Sequence, residues 1–232
     1  VDQGRTIVYE RVTNYWARDL PVNKGRYNFD IIRFDFYRDR NVAMEAFKAG
    51  EYDFREEFTS KMWATAYDFP AHEAGLVIKE ALPDKSPASR QYFVLNQRRN
   101  FLKDWRVRAA LNHAFDFEWT NRNIFYGLYA RTESLFQNTR MAARKLPTPE
   151  ELALLNPFRE GLPPEVFTEV FQQPKTDGSG NNRQNLKIAQ RLLREAGYLV
   201  KDHKLTGPDG EPVEIEYLTF SPITERLIAP FV

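Results

Sequence analysis

Cysteine is absent from the 232 residues. Its absence removes disulfide frameworks, thiol nucleophiles and cysteine-based zinc sites together. Histidine occurs three times, as His72, His113 and His203, and no two of them share a metal-binding spacing. A charge excess of either sign is missing as well: 33 Lys and Arg face 32 Asp and Glu, a net charge of +1. That balance argues against a dedicated nucleic-acid binder, which carries a strong basic excess. Long apolar runs are also lacking. The longest, such as Tyr92 to Leu95, are strand-sized, whereas a membrane span needs about 18 apolar residues or more. Neither a G-x-S-x-G elbow nor a Walker loop occurs. The stretch Asp177-Gly178-Ser179-Gly180-Asn181-Asn182 resembles a calcium loop, but Ile188 stands where the closing Glu should be. It reads as a loop ending in a helix cap.

What is present is enough for a core. Apolar residues make up 42 % and aromatics 14 % of the chain, which argues against disorder. At about 150 residues per domain, the length allows one large domain, or one domain and part of another.

Thr6 to Val12 and Asp30 to Tyr37 alternate and are rich in β-branched or aromatic residues, so both predict strands. Asn41 is a candidate cap for a helix over Val42 to Ala49, with Val42, Ala46 and Phe47 or Ala49 inside and Gly50 as its stop. With a strand at Tyr52 to Phe58, this predicts a βαβ unit and a parallel pair. Ser60 can cap a helix through Tyr67. Val77 to Leu82 and Gln91 to Leu95 predict strands.

The stripe Val107, Ala110, Leu111, Ala114 and Phe115 predicts a helix capped by Asp104, and Glu118 to Tyr126 a second, ending at Gly127. Leu146 to Pro174 holds six prolines and reads as an irregular excursion anchored by Leu154, Leu155, Phe158, Val166 and Phe167. Asn182 to Ala196 predicts a helix stopped by Gly197. Tyr198 to Thr206 and Pro212 to Phe220 predict a hairpin around Gly207-Pro208-Asp209-Gly210. The fold class is α/β, with mixed parallel and antiparallel pairing. Thr224 can cap a helix whose apolar face opens with Leu227 and Ile228 just before the last residue. The expectation from that ending is a fragment of a longer protein.

Two clusters invite a chemical reading. Glu56 and Glu57 are adjacent in a predicted strand and so point to opposite faces, which prevents them from flanking one bond as a catalytic pair. Arg98, Arg99, Lys103, Arg106 and Arg108 form a basic group, read as a solvated face with an anion site as the alternative.

Five stretches in order resemble one family: R-V-T-N-Y-W at Arg11 to Trp16, A-F-K-A-G-E-Y-D-F-R at Ala46 to Arg55, F-V-L-N-Q with D-W-R-V-R-A-A-L and A-F-D between Phe93 and Asp116, L-L-R-E-A-G-Y ending at Tyr198, and S-P-I-T-E-R-L-I-A from Ser221 to Ala229. Together they look like the family 5 extracellular solute-binding proteins, the peptide-binding components of ABC importers. Phe54 to Pro70 looks most like the oligopeptide and microcin C subgroup.

The resemblance implies a lobe of the type II periplasmic-binding-protein fold. Residues 1–53 would correspond to the end of the first lobe and the hinge crossover, and 54–232 to a truncated second lobe. It implies a periplasmic binder without enzymatic activity or cofactor, partnered by peptide ligand and permease subunits, with a hinge-closing cleft. The family's aspartate for a peptide amine is expected beyond Val232. Within the chain, residues near strand ends facing the hinge become ligand candidates. These are Glu56 or Glu57 for an amine or basic side chain, Trp63 and Tyr67 as an apolar or cation–π wall, and Asn96 and Arg98 for a carbonyl or carboxylate. A nickel, haem or sugar ligand, or an α/β hydrolase, remains the alternative.

Overall fold

A computed structural model describes residues 4–88, 91–219 and 224–231. The chain divides into two compact units, Val1–Glu80 and Ala81–Val232.

In the first unit, β1 (Thr6–Glu10) pairs antiparallel with β2 (Ile31–Asp35), running from Thr6 opposite Asp35 to Glu10 opposite Ile31. The alternating, β-branched segments form the strands their pattern predicts. Thr6 Oγ1 donates to Asp35 Oδ1 at 2.8 Å, and the Tyr9 and Phe34 rings meet edge to face at 5.8 Å. Helix α1 (Arg40–Lys48) starts earlier than predicted because Asp39, not Asn41, is its cap. Asp39 Oδ1 accepts from the amides of Asn41 and Val42 at 2.8 and 3.2 Å. That shift turns the helix: Met44 is buried and Val42 exposed, so the inner stripe is Met44 and Phe47. Gly50 ends it at φ 78°, a left-handed conformation that Gly adopts without a Cβ clash.

The predicted parallel βαβ pair does not form among the described residues. Tyr52 to Glu57 joins no ladder, its side chains alternate in burial only from Phe54 onward, and both ladders present are antiparallel. Short helices α2 (Ser60–Thr65) and α3 (Pro70–Glu73) follow. They close a core of Met44, Tyr67 and Phe69, flanked by Phe47, Met62, Trp63 and Val77. The run from Val77 forms no ladder either; its first amide turns back onto Ala71 O at 3.1 Å.

The second unit is built on a helix pair. Helix α4 (Asn100–Lys103) leads into α5 (Trp105–Ala114), which Asp104 caps as predicted, accepting from the Arg106 amide at 2.8 Å. Helix α6 (Phe117–Asn123) is capped by Asp116. The stripe of α5 packs on α9 (Arg183–Glu195) through Ala110, Ala189 and Leu192, and a second cluster joins Leu102 and Val107 to Tyr198.

Between these helices lie α7 (Pro149–Leu155), a 3-10 turn at Asn156–Gly161 and α8 (Glu165–Thr168). The expected anchors largely fail here: Leu154 is 75 % and Phe158 67 % exposed, and Val166 is exposed too. A capping box between Thr148 and Glu151 stabilises α7 locally instead, and the Arg159 guanidinium covers the Phe167 ring at 4.1 Å.

Tyr198 to Thr206 is not one strand. It folds on itself as β3 (Leu199–Lys201) and β4 (Lys204–Thr206), because Asp202 and His203 take φ of 48° and 64°, the geometry of a two-residue hairpin. The turn at Gly207 to Gly210 also forms, but it yields only a bridge between Thr206 and Pro212. Its predicted strand reaches Phe220, outside the described residues. Helix α10 (Glu225–Ile228) lies where Thr224 was expected to start one. Among the described residues, no helix is long and apolar enough to cross a membrane.

Candidate functional site

The segment Phe54 to Phe58 sorts its side chains by parity. Arg55 and Glu57 turn inward; their side chains are 10 % and 3 % exposed and joined at 2.9 Å. Phe54, Glu56 and Phe58 turn outward and are exposed. The inward pair belongs to a hydrogen-bonded network. Arg55 Nε and Nη2 donate to Glu57 Oε2, and Nη1 donates to the Tyr52 hydroxyl at 2.9 Å. Tyr52 in turn donates to Ala43 O at 2.7 Å, which ties the segment to α1. Glu57 Oε1 accepts from the Thr59 amide at 2.9 Å, and Arg40 Nη1 donates to Thr59 Oγ1 at 2.9 Å. Burial alone would lower the Arg55 pKa, but its hydrogen bonds to Tyr52 and Glu57 raise it above the ordinary value. A buried ion pair needs further hydrogen bonds beyond the pair itself, and here each Arg55 nitrogen and each Glu57 carboxylate oxygen has a partner.

Glu57 is therefore committed to folding, and of the two predicted carboxylates only Glu56 faces outward. It has no salt bridge within 4.0 Å among the described residues.

The structure does bring Trp63 and Tyr67 together, with ring centroids 5.9 Å apart. Tyr67 is buried in the core and Trp63 half-buried against it. Their cation is already in place. Lys79 Nζ lies 4.6 Å from the Trp63 ring centre and 5.3 Å from that of Tyr67, and donates to Trp63 O at 2.5 Å. Sequence reasoning missed Lys79. The available signal was its spacing of two from Val77, which packs in the same core. Burial raises the Tyr67 pKa, the nearby Glu57 charge adds to that rise, and Arg55 opposes it.

Asn96 and Arg98 lie in the second unit and are exposed. Asn96 Oδ1 accepts from both the Arg98 amide and Nε at 3.2 Å, so the two residues form a local turn contact. The rest of the basic group is divided among separate duties. Arg106 pairs with Asp104 at 2.6 Å and donates to Glu195 O at 2.6 Å. Arg108 donates to Leu102 O and Lys103 O, the end of α4, at 2.8 and 2.7 Å. Arg99 meets Glu216 at 3.4 Å. These cations hold helix ends together and do not converge on one point. Among the described residues, no group of three or more His, Cys, Asp or Glu is placed to hold a metal.

A profile of the bacterial extracellular solute-binding proteins, family 5 Middle, matches residues 1–229. The chain belongs to this family. Its α/β architecture is that of the family's type II periplasmic binding fold. A protein named YejA in Escherichia coli is 44 % identical over 229 residues, covering 98 % of this chain and 38 % of that protein. A probable peptide-binding protein YejA of Agrobacterium fabrum is 40 % identical over 235 residues, covering 100 % of this chain and 38 % of that protein. The same organism has a peptidoglycan-binding protein YepA, 35 % identical over 232 residues, covering 97 % of this chain and 38 % of that protein. The chain thus spans well under half the length of these relatives.

Proposed function

We propose that the protein carrying this chain is the substrate-binding component of an ABC-type importer that captures peptides in the periplasm and delivers them to permease subunits. The observation that carries this reading is the collinear match of nearly the whole chain to family 5, with relatives of 40 % and 44 % identity, one of them named a probable peptide-binding protein. Solute-binding proteins act by closing around a ligand, so the role needs no chemical step. On this reading the lobes divide near residues 53 and 54. Glu56 is the ligand candidate of the first compact unit, and Asn96 and Arg98 those of the second. Trp63 and Tyr67 serve as a wall whose cation is Lys79, and Glu57 serves through Arg55.

Within peptides, an oligopeptide or a microcin C-like peptide is the expected ligand. The similarity to a relative named for peptidoglycan binding favours a second reading, peptides released from peptidoglycan. Native mass spectrometry of the protein purified from its own cells, followed by denaturation and sequencing of what it releases, separates these outcomes. Intact peptide supports the first reading, and peptide bearing amino sugars supports the second. A metal, haem or free sugar overturns both, and cleavage of added peptides overturns the absence of chemistry.

A further inference from the structure

After α6 the chain runs out through α7 and α8 before it returns to α9. Bringing the ends of so long a loop together costs entropy that grows with its length, so the fold must hold them. The outgoing stem is 131–133 and the returning stem 173–175, and the two meet through side chains. Gln173 Nε2 donates to Thr132 O at 3.1 Å, Arg131 Nη1 donates to Pro174 O, and Lys175 pairs with Glu133 at 3.5 Å.

One residue of α5 joins both stems. Asn112 Oδ1 accepts from Arg131 Nη2 at 2.9 Å, and Asn112 Nδ2 donates to Gln173 Oε1 at 2.9 Å. The oxygen of the Asn112 amide thus meets a donor on one stem, and its nitrogen an acceptor on the other. The backbone oxygen of Asn112 also accepts from Arg131 Nη2, at 3.4 Å. Arg131 suits this place because its planar fork sends one nitrogen to the returning stem and another to α5. Its guanidinium lies 5.9 Å from the centre of the Phe117 ring on α6. Burial lowers the Arg131 pKa, and the charges of Glu118 and Asp116 oppose that. Asn112, Arg131, Thr132, Gln173 and Pro174 are all half-buried, so water competes weakly for these bonds. The returning stem is fastened again just beyond them. Asn185 Nδ2 donates to Lys175 O at 3.1 Å, and Thr176 Oγ1 donates to Asp116 Oδ1 at 2.6 Å.

We propose that Asn112, Arg131 and Gln173 form a clasp: one amide on α5 holds both stems, and the excursion opens at its base when that amide lets go. The clasp acts within the second compact unit and does not rest on the peptide reading. Because the amide is shared, a bond lost at one stem loosens the other.

Trypsin reads the clasp directly, since Arg131 is itself a cleavage site and is engaged while the base is closed. The full-length protein is treated briefly with dilute trypsin. Mass spectrometry gives the initial rate of cutting after Arg131 and, for comparison, after Lys187 in α9. Cleavage of a folded chain follows the population of its locally open form. Asn112→Leu is expected to raise cutting after Arg131 about tenfold, the size of losing one hydrogen bond to a charged group. Gln173→Leu leaves every bond of Arg131 in place, and is expected to raise the same rate about threefold through the shared amide. Cutting after Lys187 stays within about twofold in both variants, which certifies an intact helix pair. An unchanged rate after Arg131 in Asn112→Leu overturns the clasp. A rise in Asn112→Leu with none in Gln173→Leu overturns it too, since the stems are then held separately. Equal rises after Arg131 and Lys187 also overturn it, because Asn112 then supports the helix pair as a whole.

Discussion

The helix pair α5 and α9 and the segment Asp53 to Phe58 use polar groups in opposite ways. Around the helix pair, charged residues serve the fold: Asp104 caps α5 and holds Arg106, which reaches the carbonyl at the end of α9, while Arg108 closes α4. In Phe54 to Glu57 the inward pair Arg55 and Glu57 does so, while Glu56 faces outward and has no salt bridge among the described residues. Where every polar group has an internal partner, a change costs stability. Where a side chain faces outward with no salt bridge, as Glu56 does among the described residues, a change leaves stability nearly alone.

The sharpest way to break this contrast is at Arg55. Replacing it by Ala leaves the Glu57 carboxylate buried and unpaired, and about 3 kcal/mol of stability is expected to go, measured by urea unfolding. Converting the pair together, Arg55→Met with Glu57→Leu, should recover most of that loss, because no buried charge then remains. A single mutant as stable as the wild type would show that the network is not what holds the segment.

A smaller effect is expected at Asp104. Its Ala variant loses a helix cap, at a cost of about 1 kcal/mol, seen as a lower Tm. Its pH behaviour has a definite sign. Hydrogen bonds from the Arg106 side chain lead the causes that hold the Asp104 pKa below the ordinary value. The unfolded chain therefore takes up a proton at higher pH than the native one. The stabilisation is present above the unfolded pKa, near 4, and is lost as pH falls through it toward the native value. Asp104→Asn should flatten that acid limb of the Tm profile.

Lys79 comes next. Lys79→Met keeps the aliphatic stem and removes the ammonium from the Trp63 and Tyr67 rings, at an expected cost of about 0.5–1 kcal/mol. The emission of Trp63 is expected to shift, which chemical unfolding followed by fluorescence detects. Glu56→Gln is the smallest perturbation of the fold, expected within about 0.5 kcal/mol of the wild type by the same measurement. A loss as large as that of Arg55→Ala would erase the difference between the two sides of the segment.

Much of the helical half was legible in the sequence. Asp104, the stripe from Val107 and the stop at Gly197 are local signals, and each helix forms where its own residues place it. The strands were less so. Tyr52 to Glu57 has a strand's alternation, but a ladder also needs a neighbour, which alternation does not supply. Tyr198 to Thr206 hid its own turn because Asp202 and His203 are not the Gly pair that a hairpin usually advertises, although Asp tolerates the left-handed region. For the site, adjacency along a strand separated Glu56 from Glu57, but which one faces outward depended on where Arg55 found a partner. The role of Lys79 needed the return of the chain over Trp63, a contact 16 residues long in sequence.

The order of motifs, the helix caps and stripes, and the opposition of neighbouring side chains follow from the sequence alone, because they rest on interactions a few residues apart. The tertiary structure decided which carboxylate was spent, which cation occupied the aromatic pair and which strand-like segments stayed unpaired. Those outcomes depend on burial, and burial is settled only when distant parts of the chain compete for the same space.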